Sequence, residues 1–302
     1  AERQMLRPSF VPPPAIRQLR DLTRYRKRQL DMRAAEVQRL EKVLQDAGVK
    51  LTSVACEVLG MSGRHIIEAL VVGERDGNAL AELAIGRLRN KRAALAEALV
   101  GNFGPHHALA CRQILDHVDF LDARIGQVSE QVLTRMVPFE PAIALLVEVP
   151  GIGRRSAEVV IAETGGDMGR FASAAHLASW AGLCPGNYES AGKRRRVGTT
   201  NGNRWLRRTL IESARAAART KGSYFGAQYR RLAPRRGPNK AAVAVAHSLL
   251  DVIWHMLSTG ERYADLGADY FERRRDPERE TRRLVRQLEE LGHQVNLTTP
   301  AA

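Results

Sequence analysis

The chain has 302 residues, of which 44% are hydrophobic and 26% are charged. This composition excludes a mainly disordered chain and allows one large or two ordinary domains with buried cores. No apolar run approaches the roughly 18 residues of a membrane span, and the first residues lack the pattern of a secretory signal, so we expect no membrane partner. The three cysteines are far apart and include no C-x-x-C pair, which excludes a zinc knuckle and predicts a reducing, cytoplasmic location.

The positive charge is concentrated in one segment. The formal net charge is +14, and residues 193–240 account for all of it, because they hold fifteen basic residues and one acid, Glu212. A solvated surface usually mixes both signs, whereas a block of one sign is typical of phosphate contacts. We therefore expect a polyanionic partner, and nucleic acid is the first candidate.

The first half of the chain predicts long helices. Residues 1–14 read as a linker ending in the stiff run Pro12-Pro13-Pro14. An apolar heptad grid follows, which Arg26 and Arg33 interrupt. Its members are Ile16, Leu19, Leu30, Val37, Leu40 and Leu44. A second, cleaner grid stops at Pro138 and consists of Cys111, Ile114, Val118, Leu121, Ile125, Val128 and Val132.

These grids predict a helical coiled-coil arm over residues 15–137. Between the two long helices, shorter ones are expected to start near Ser62 and Asn78. The apolar seams are interpreted as packing surfaces rather than as nucleic-acid contacts. Pairing with a second copy would make the protein a homo-oligomer, either a dimer or a tetramer.

Residues 138–272 predict a second, mainly helical domain that contains a helix-hairpin-helix. The turn carries Gly151 and Gly153, and a helix begins near Arg154. N–H groups at the start of a helix can hold a phosphate oxygen, aided by the helix dipole. A tight connection without a ligand is the alternative, and Arg154 and Arg155 favour phosphate.

A short hairpin-like basic loop follows, in which Ser190 precedes four cations. These cations are Lys193, Arg194, Arg195 and Arg196. A serine that attacks a phosphodiester needs its phosphate held and the developing charge stabilised. The cations meet that need, but no base is identified, and a serine beside glycine is commonly a turn residue.

The next helix, from Asn203 to about Arg219, predicts a basic face. Asn203 reads as its N-cap and as a nucleic-acid contact. The arginines that share the face are Arg204, Arg207, Arg208, Arg215 and Arg219. Tyr224 and Tyr229 could stack on bases or pack internally, and internal packing is favoured.

Two further features predict no chemistry. Residues 273–302 read as a charged C-terminal helix and tail, with Leu284, Leu288 and Leu291 on one side. His106 and His107 resemble metal ligands together with Asp116, His117 and Asp119, but their spacing does not form a site. We predict no metal site in this chain.

Taken in order, several motifs resemble the IS110 (IS116/IS110/IS902) family of insertion-sequence transposases. They are Val149-Pro150-Gly151-Ile152-Gly153, Arg170-Phe171-Ala172-Ser173, Leu177-Ala178-Ser179-Trp180-Ala181-Gly182-Leu183, Pro185 to Lys193, and Gly202-Asn203-Arg204-Trp205-Leu206-Arg207. The opening Leu6-Arg7-Pro8-Ser9-Phe10-Val11-Pro12-Pro13 is similar to the segment after the catalytic domain in that family.

The resemblance implies a bacterial, nucleoid-associated enzyme of DNA transposition, guided by a structured bridge RNA. It implies a RuvC-like domain with four acids (DEDD) that hold Mg²⁺, and it makes Ser190 the nucleophile that links covalently to DNA. In the family, the four acids precede the proline-rich start. We therefore expect the acids and their Mg²⁺ to lie outside this chain, and we expect the chain alone to be inactive. A DNA- or RNA-binding remnant that regulates the intact enzyme is the alternative, and a repair-type helix-hairpin-helix scaffold is a third.

Overall fold

The computed structural model describes residues 11–186, 189–190, 192–194, 198–274 and 276–297, with backbone alone at 190, 194 and 279. The helices are α1 (Pro14–Asp46), α2 (Met61–Val72), α3 (Gly77–Glu82), α4 (Arg92–Ala98), α5 (Pro105–Met136), α6 (Glu140–Val147), α7 (Arg154–Thr164), α8 (Ala174–Trp180), α9 (Arg204–Ala217), α10 (Tyr224–Arg236), α11 (Pro238–Thr259), α12 (Tyr270–Arg273) and α13 (Pro277–Glu290). The strands are β1 (Glu189–Ser190) and β2 (Lys193–Arg194). The predicted mainly helical fold is confirmed.

The chain divides into two compact units, one of residues 18–137 and one of residues 1–17 with 138–302. In the first unit, α1 and α5 run antiparallel, because residues later in α1 pair with residues earlier in α5. The pairs are Arg33–Asp122 (2.5 Å), Glu36–His117 (3.1 Å) and Asp46–His107 (3.2 Å). The two long helices that the sequence predicts therefore form a helical hairpin.

The apolar grids match buried positions on both long helices. Of the grid on α5, Ile114 and Val128 are half-buried and the other five members are buried. On α1, Leu30 and Val37 are half-buried and the other four members are buried, but Arg26 is also enclosed, with only 3% of its surface exposed. Arg26 therefore interrupts the apolar pattern of α1 but not its buried face, because the side chain lies on the inner side of the helix.

An apolar cluster closes one end of the α1–α5 hairpin. It is built by α2, α3 and α4 and includes Leu44, Ile66, Leu70, Leu80, Leu95, Leu99 and Cys111. The side chain of Asp76 caps α3 by accepting from the Asn78 N–H at 3.0 Å. The predicted starts of α2 and α3 are thus correct to within one residue.

Burial raises the pKa of the Cys111 thiol to about 11.

In the second unit, α11 is the central helix and packs against α8, α9 and α10. Its inner face consists of Ala241, Ala242, Val245, Ala246, Leu249, Leu250, Ile253 and Met256. By length and composition it is the one described helix that is long and apolar enough to cross a membrane. The sequence prediction overlooked that run. Core helices pass the same test, and the buried face of α11 is that of a core helix.

The C-terminal helix α13 contains two ion pairs between its own residues. Arg283 pairs with Glu280 at 2.6 Å and Arg286 with Glu290 at 3.0 Å. Leu284, Leu288 and Leu291 lie on its exposed surface. The arginines of α13 can therefore serve as control positions in experiments on the arginines of α9.

Candidate nucleic-acid interface

The glycine hairpin joins α6 to α7 and packs on α9. Gly151 has a φ of +85°, in the left-handed region that favours glycine. A Cβ atom there would lie 2.3 Å from the carbonyl oxygen of Ser213 and 2.7 Å from the amide nitrogen of Ala217, both in α9. The structure thus gives Gly151 a packing role, and the phosphate contact predicted for it stays a prediction.

Gly153 leaves the N-terminus of α7 open. It is the N-cap residue, with an extended conformation and without a side chain that could cap the helix. A Cβ atom at this position would have no heavy atom within 4 Å. The first N–H groups of an α-helix have no intrahelical partner. The hairpin therefore offers its open, partly positive end to solvent at Gly153.

Arg154 is already engaged by carboxylates. Its guanidinium pairs with Glu140 and donates through Nε to Glu158 at 3.2 Å. The hydrogen bond to Glu140 raises the pKa of Arg154 above its usual value. The exposed Arg155 has no ion-pair partner among the residues that the structure describes. Arg155 is thus better placed than Arg154 for a phosphate.

The two ends of the loop that carries Ser190 cross at a pair of glycines. A Cβ atom on Gly202 would lie 2.3 Å from the Gly182 nitrogen and 2.6 Å from the Trp180 carbonyl oxygen. The Asn203 N–H donates to that same oxygen at 3.0 Å. Residues 183–201, called the Ser190 loop below, therefore leave and re-enter the domain at one point.

The Ser190 loop is a two-stranded hairpin, in accord with the predicted hairpin-like basic loop. Its base is held by Gly186 N–H to Gly198 O (2.8 Å) and Thr200 N–H to Cys184 O (3.1 Å). Toward the tip, β1 and β2 are antiparallel, and Ser190 lies opposite Lys193. Directly opposite residues share one face of an antiparallel pair. Lys193 is exposed, whereas Arg195 and Arg196 lie outside the described residues.

Asn203 is the N-cap of α9, as predicted, but its side chain faces inward. Its Oδ1 accepts from the N–H groups of Trp205 and Leu206, both at 3.1 Å. Its Nδ2 donates to Glu163 Oε2 at 2.6 Å. The amide of Asn203 therefore has a structural role within the domain, and the nucleic-acid contact predicted for this residue stays a prediction.

The basic positions of α9 form one face, called the arginine face. Arg207 is half-buried, and Arg204, Arg208 and Arg215 are exposed. We include the exposed Arg219 in this face, although it lies two residues after Ala217, the last residue of α9. The opposite side buries Leu206, Leu210, Ala214 and Ala217. A shallow groove of about 670 Å³ lies on this face, and its lining consists of Asn201, Gly202, Arg204, Arg207, Arg208, Ile211, Glu212 and Arg215.

Several members of the arginine face have neighbours that fix their positions. Arg208 pairs with Glu212 at 3.1 Å. Arg215 donates to Asn239 Oδ1 at 3.1 Å. Arg204 lies over the Trp205 ring, 5.1 Å from its centroid. These contacts leave the side chains on the surface, where they are accessible to a large anion.

Tyr224 packs internally, the alternative that the sequence favoured. Its ring stacks on Phe271, with centroids 5.1 Å apart, and meets the edge of Tyr270 at the same distance. Burial raises its pKa. Nearby, Arg231 lies over the Phe271 ring at 4.3 Å. This aromatic cluster therefore belongs to the packing of α10.

Among the described residues, one group of potential metal ligands occurs: Asp46, His106 and His107, with ligand atoms within 4.8 Å of one another. His107 Nδ1 accepts from the Gly104 N–H at 3.0 Å, which places its proton on Nε2, facing Asp46. A metal would need the Nε2 lone pair. The His107–Asp46 pair is thus arranged for a hydrogen bond. Two other residues of the predicted histidine and acid group have partners of their own, since His117 pairs with Glu36 and Asp119 pairs with Arg64.

Comparisons with known proteins point to one class. The chain is 34% identical over 146 residues to the transposase for insertion sequence element IS1111A of Coxiella burnetii, covering 47% of this chain and 40% of the relative. It is 30% identical over 135 residues to a 43.6 kDa protein of insertion element IS110 of Streptomyces coelicolor, covering 44% of this chain and 33% of the relative. The matched part thus spans less than half of each relative. The class is that of insertion-sequence transposases.

The family follows from a narrower match. Residues 143–230 match the Transposase IS116/IS110/IS902 family. That range begins in α6 and ends in α10, so it includes the glycine hairpin, the Ser190 loop and the arginine face. The chain therefore carries a transposase domain of the IS116/IS110/IS902 family, and the family resemblance drawn from the sequence is confirmed.

Proposed function

We propose that this chain is the DNA-handling part of an insertion-sequence transposase. In this proposal the arginine face of α9, the open end of α7 and the basic Ser190 loop contact the DNA backbone. The observation that carries it is the row of exposed arginines on α9 within the matched family domain. Exposed arginines bind phosphate oxygens without reading the base sequence.

The glycine hairpin supports the same surface. Gly151 lets the hairpin turn touch the α9 backbone, so the start of α7 and the arginine face belong to one packed body. Arg155 and the N–H groups beyond Gly153 then supply a second row of donors for phosphate. This arrangement suits binding along the sugar–phosphate backbone of a DNA strand, without dependence on its base sequence.

Ser190 is the proposed nucleophile. In the reaction its Oγ forms a bond to the phosphorus of a phosphodiester, and the bond from phosphorus to one deoxyribose oxygen breaks. That oxygen leaves as a hydroxyl after taking up a proton, and the serine proton passes to solvent or to a base. Lys193, opposite Ser190 in the hairpin, would offset the negative charge that develops on the phosphate.

The test of this assignment is Ser190→Ala in a complete transposase that contains this chain. The variant should bind DNA with unchanged affinity and should form no covalent protein–DNA adduct, because the attacking oxygen is gone. The matched control is Ser258→Ala, at an exposed serine of α11. Adduct formation by Ser190→Ala at the native rate would exclude Ser190 as nucleophile.

A second candidate is a nucleic-acid-binding protein that regulates the intact transposase without cutting DNA. The observation in its favour is that exposed arginines and an open helix end can hold phosphates with no chemistry. Binding that survives Ser190→Ala, combined with absence of adducts from the native protein, would support it.

The remaining partners in the proposal come from the family resemblance. They are a structured guide RNA and further copies of the chain, with the helical hairpin of α1 and α5 as the assembly surface. A bacterial cytoplasm is the proposed location. Mg²⁺ held by the four acids of the family's RuvC-like domain is the proposed cofactor.

A further inference from the structure

A buried carboxylate lies next to the point where the Ser190 loop returns to the domain. Glu163, on α7, is only 1% exposed. Its Oε2 accepts a hydrogen bond from Asn203 Nδ2 at 2.6 Å. A charged group in the interior is unfavourable unless hydrogen bonds compensate for its lost hydration. The presence of Glu163 at this position therefore calls for a structural reason.

Asn203 connects Glu163, on α7, with two further elements. Its side-chain oxygen accepts from the first N–H groups of α9, at Trp205 and Leu206. Its own N–H donates to the carbonyl oxygen of Trp180, at the end of α8. One residue thus ties α7, α8 and α9 together at the point where the Ser190 loop returns to the domain.

The glycine crossing makes this point rigid. Gly182 and Gly202 approach so closely that neither has room for a side chain, since a Cβ atom on Gly182 would lie 2.9 Å from the Thr200 carbonyl oxygen. Both ends of the Ser190 loop pass through this crossing. The described ends of the Ser190 loop, residues 183–186 and 198–201, are therefore held at the same place as Asn203.

We propose that Glu163 and Asn203 form a clasp that positions the Ser190 loop. Glu163 acts through Asn203 and does not touch the DNA, so it is a positioning residue. The biological meaning of the clasp rests on the proposed role of Ser190. Its physical claim, that the Glu163–Asn203 hydrogen bond sets the mobility of the loop, is independent of that role.

The first test is Asn203→Asp in the full 302-residue chain. Asparagine and aspartate are equally good N-caps, so the start of α9 is retained. The new carboxylate would face that of Glu163 at hydrogen-bond distance, and two carboxylates in one site repel each other. Amide hydrogen exchange of residues 182–202 should speed up by about tenfold, because the clasp opens more often.

Rescue and control variants separate the clasp from general damage. Glu163→Gln combined with Asn203→Asp restores one donor and one acceptor, with their roles reversed, and should return the exchange rates to native values. Asn201→Asp makes the same chemical change at an exposed position and should leave them unchanged. Exchange in α11 serves as the internal reference for global unfolding.

Three results would overturn the clasp: unchanged exchange of residues 182–202 in Asn203→Asp, an equal rise in α11, or no recovery in the double variant. None of them bears on whether Ser190 is the nucleophile. Conversely, Ser190→Ala should leave the exchange of the loop base unchanged. A failure of the clasp and a failure of the proposed function are therefore distinguishable.

Discussion

Changing Arg204, Arg208 and Arg215 together to glutamine should weaken DNA binding in a salt-dependent way. All three are exposed members of the arginine face, and glutamine removes the charge while keeping good helix propensity. Each lost phosphate contact reduces the slope of log K against log salt by about 0.9, so the triple variant should lose about 2.7. Between about 50 and about 200 mM salt, the affinity advantage of the native chain should shrink about 40-fold.

The assay is fluorescence anisotropy of a labelled DNA duplex titrated with protein at several salt concentrations. The matched control is the triple change of Arg282, Arg283 and Arg286 to glutamine on α13, which alters the net charge equally. Circular dichroism should show unchanged helix content in both variants. If the two triple variants lowered the slope by the same amount, binding would depend on overall charge and the arginine face would not be the DNA contact.

The remaining predictions concern packing and thiol chemistry. Gly151→Ala should lower the free energy of unfolding by about 3 kcal/mol, because a positive φ and the nearby backbone atoms of α9 leave no room for a side chain. Gly153→Ala, in open space, should lower it by less than about 1 kcal/mol. Denaturant unfolding measures both values, and equal losses would contradict the packing role of Gly151. The exposed Cys56 should react with a thiol reagent in the native state, and the buried Cys111 only on unfolding. Because burial raises the pKa of Cys111 from 9.0 to about 11, its contribution to stability should be complete below pH 9.0 and lost as pH rises to about 11, a decline that Cys111→Ala should abolish.

Helix positions follow from local patterns, and the sequence predicted them well. The apolar grid from Cys111 to Val132 matches the buried face of α5 because helical periodicity alone sets that face. Asn203 was predicted as the N-cap of α9 because capping depends on neighbours only two or three residues away. The basic face of α9 likewise follows from spacing within one helix.

Partners distant in sequence could not be predicted. The pairing of Arg154 with Glu140 depends on the fold, because the two residues lie in different helices. Asn203 is predicted as an N-cap and a nucleic-acid contact, but its hydrogen bond to Glu163, forty residues earlier, depends on tertiary packing. The enclosure of Arg26 on the inner face of α1 also depends on tertiary packing, since an isolated arginine in a helix is usually exposed.

If DNA lies along the arginine face, bound DNA should shield the arginines of that face from chemical modification. The native chain would be treated with an arginine-specific reagent, with and without duplex DNA, and modification measured by mass spectrometry. We expect DNA to protect Arg204, Arg208, Arg215 and Arg219 and to leave Arg282, Arg283 and Arg286 reactive. Equal modification of the α9 arginines with and without bound DNA would contradict this expectation.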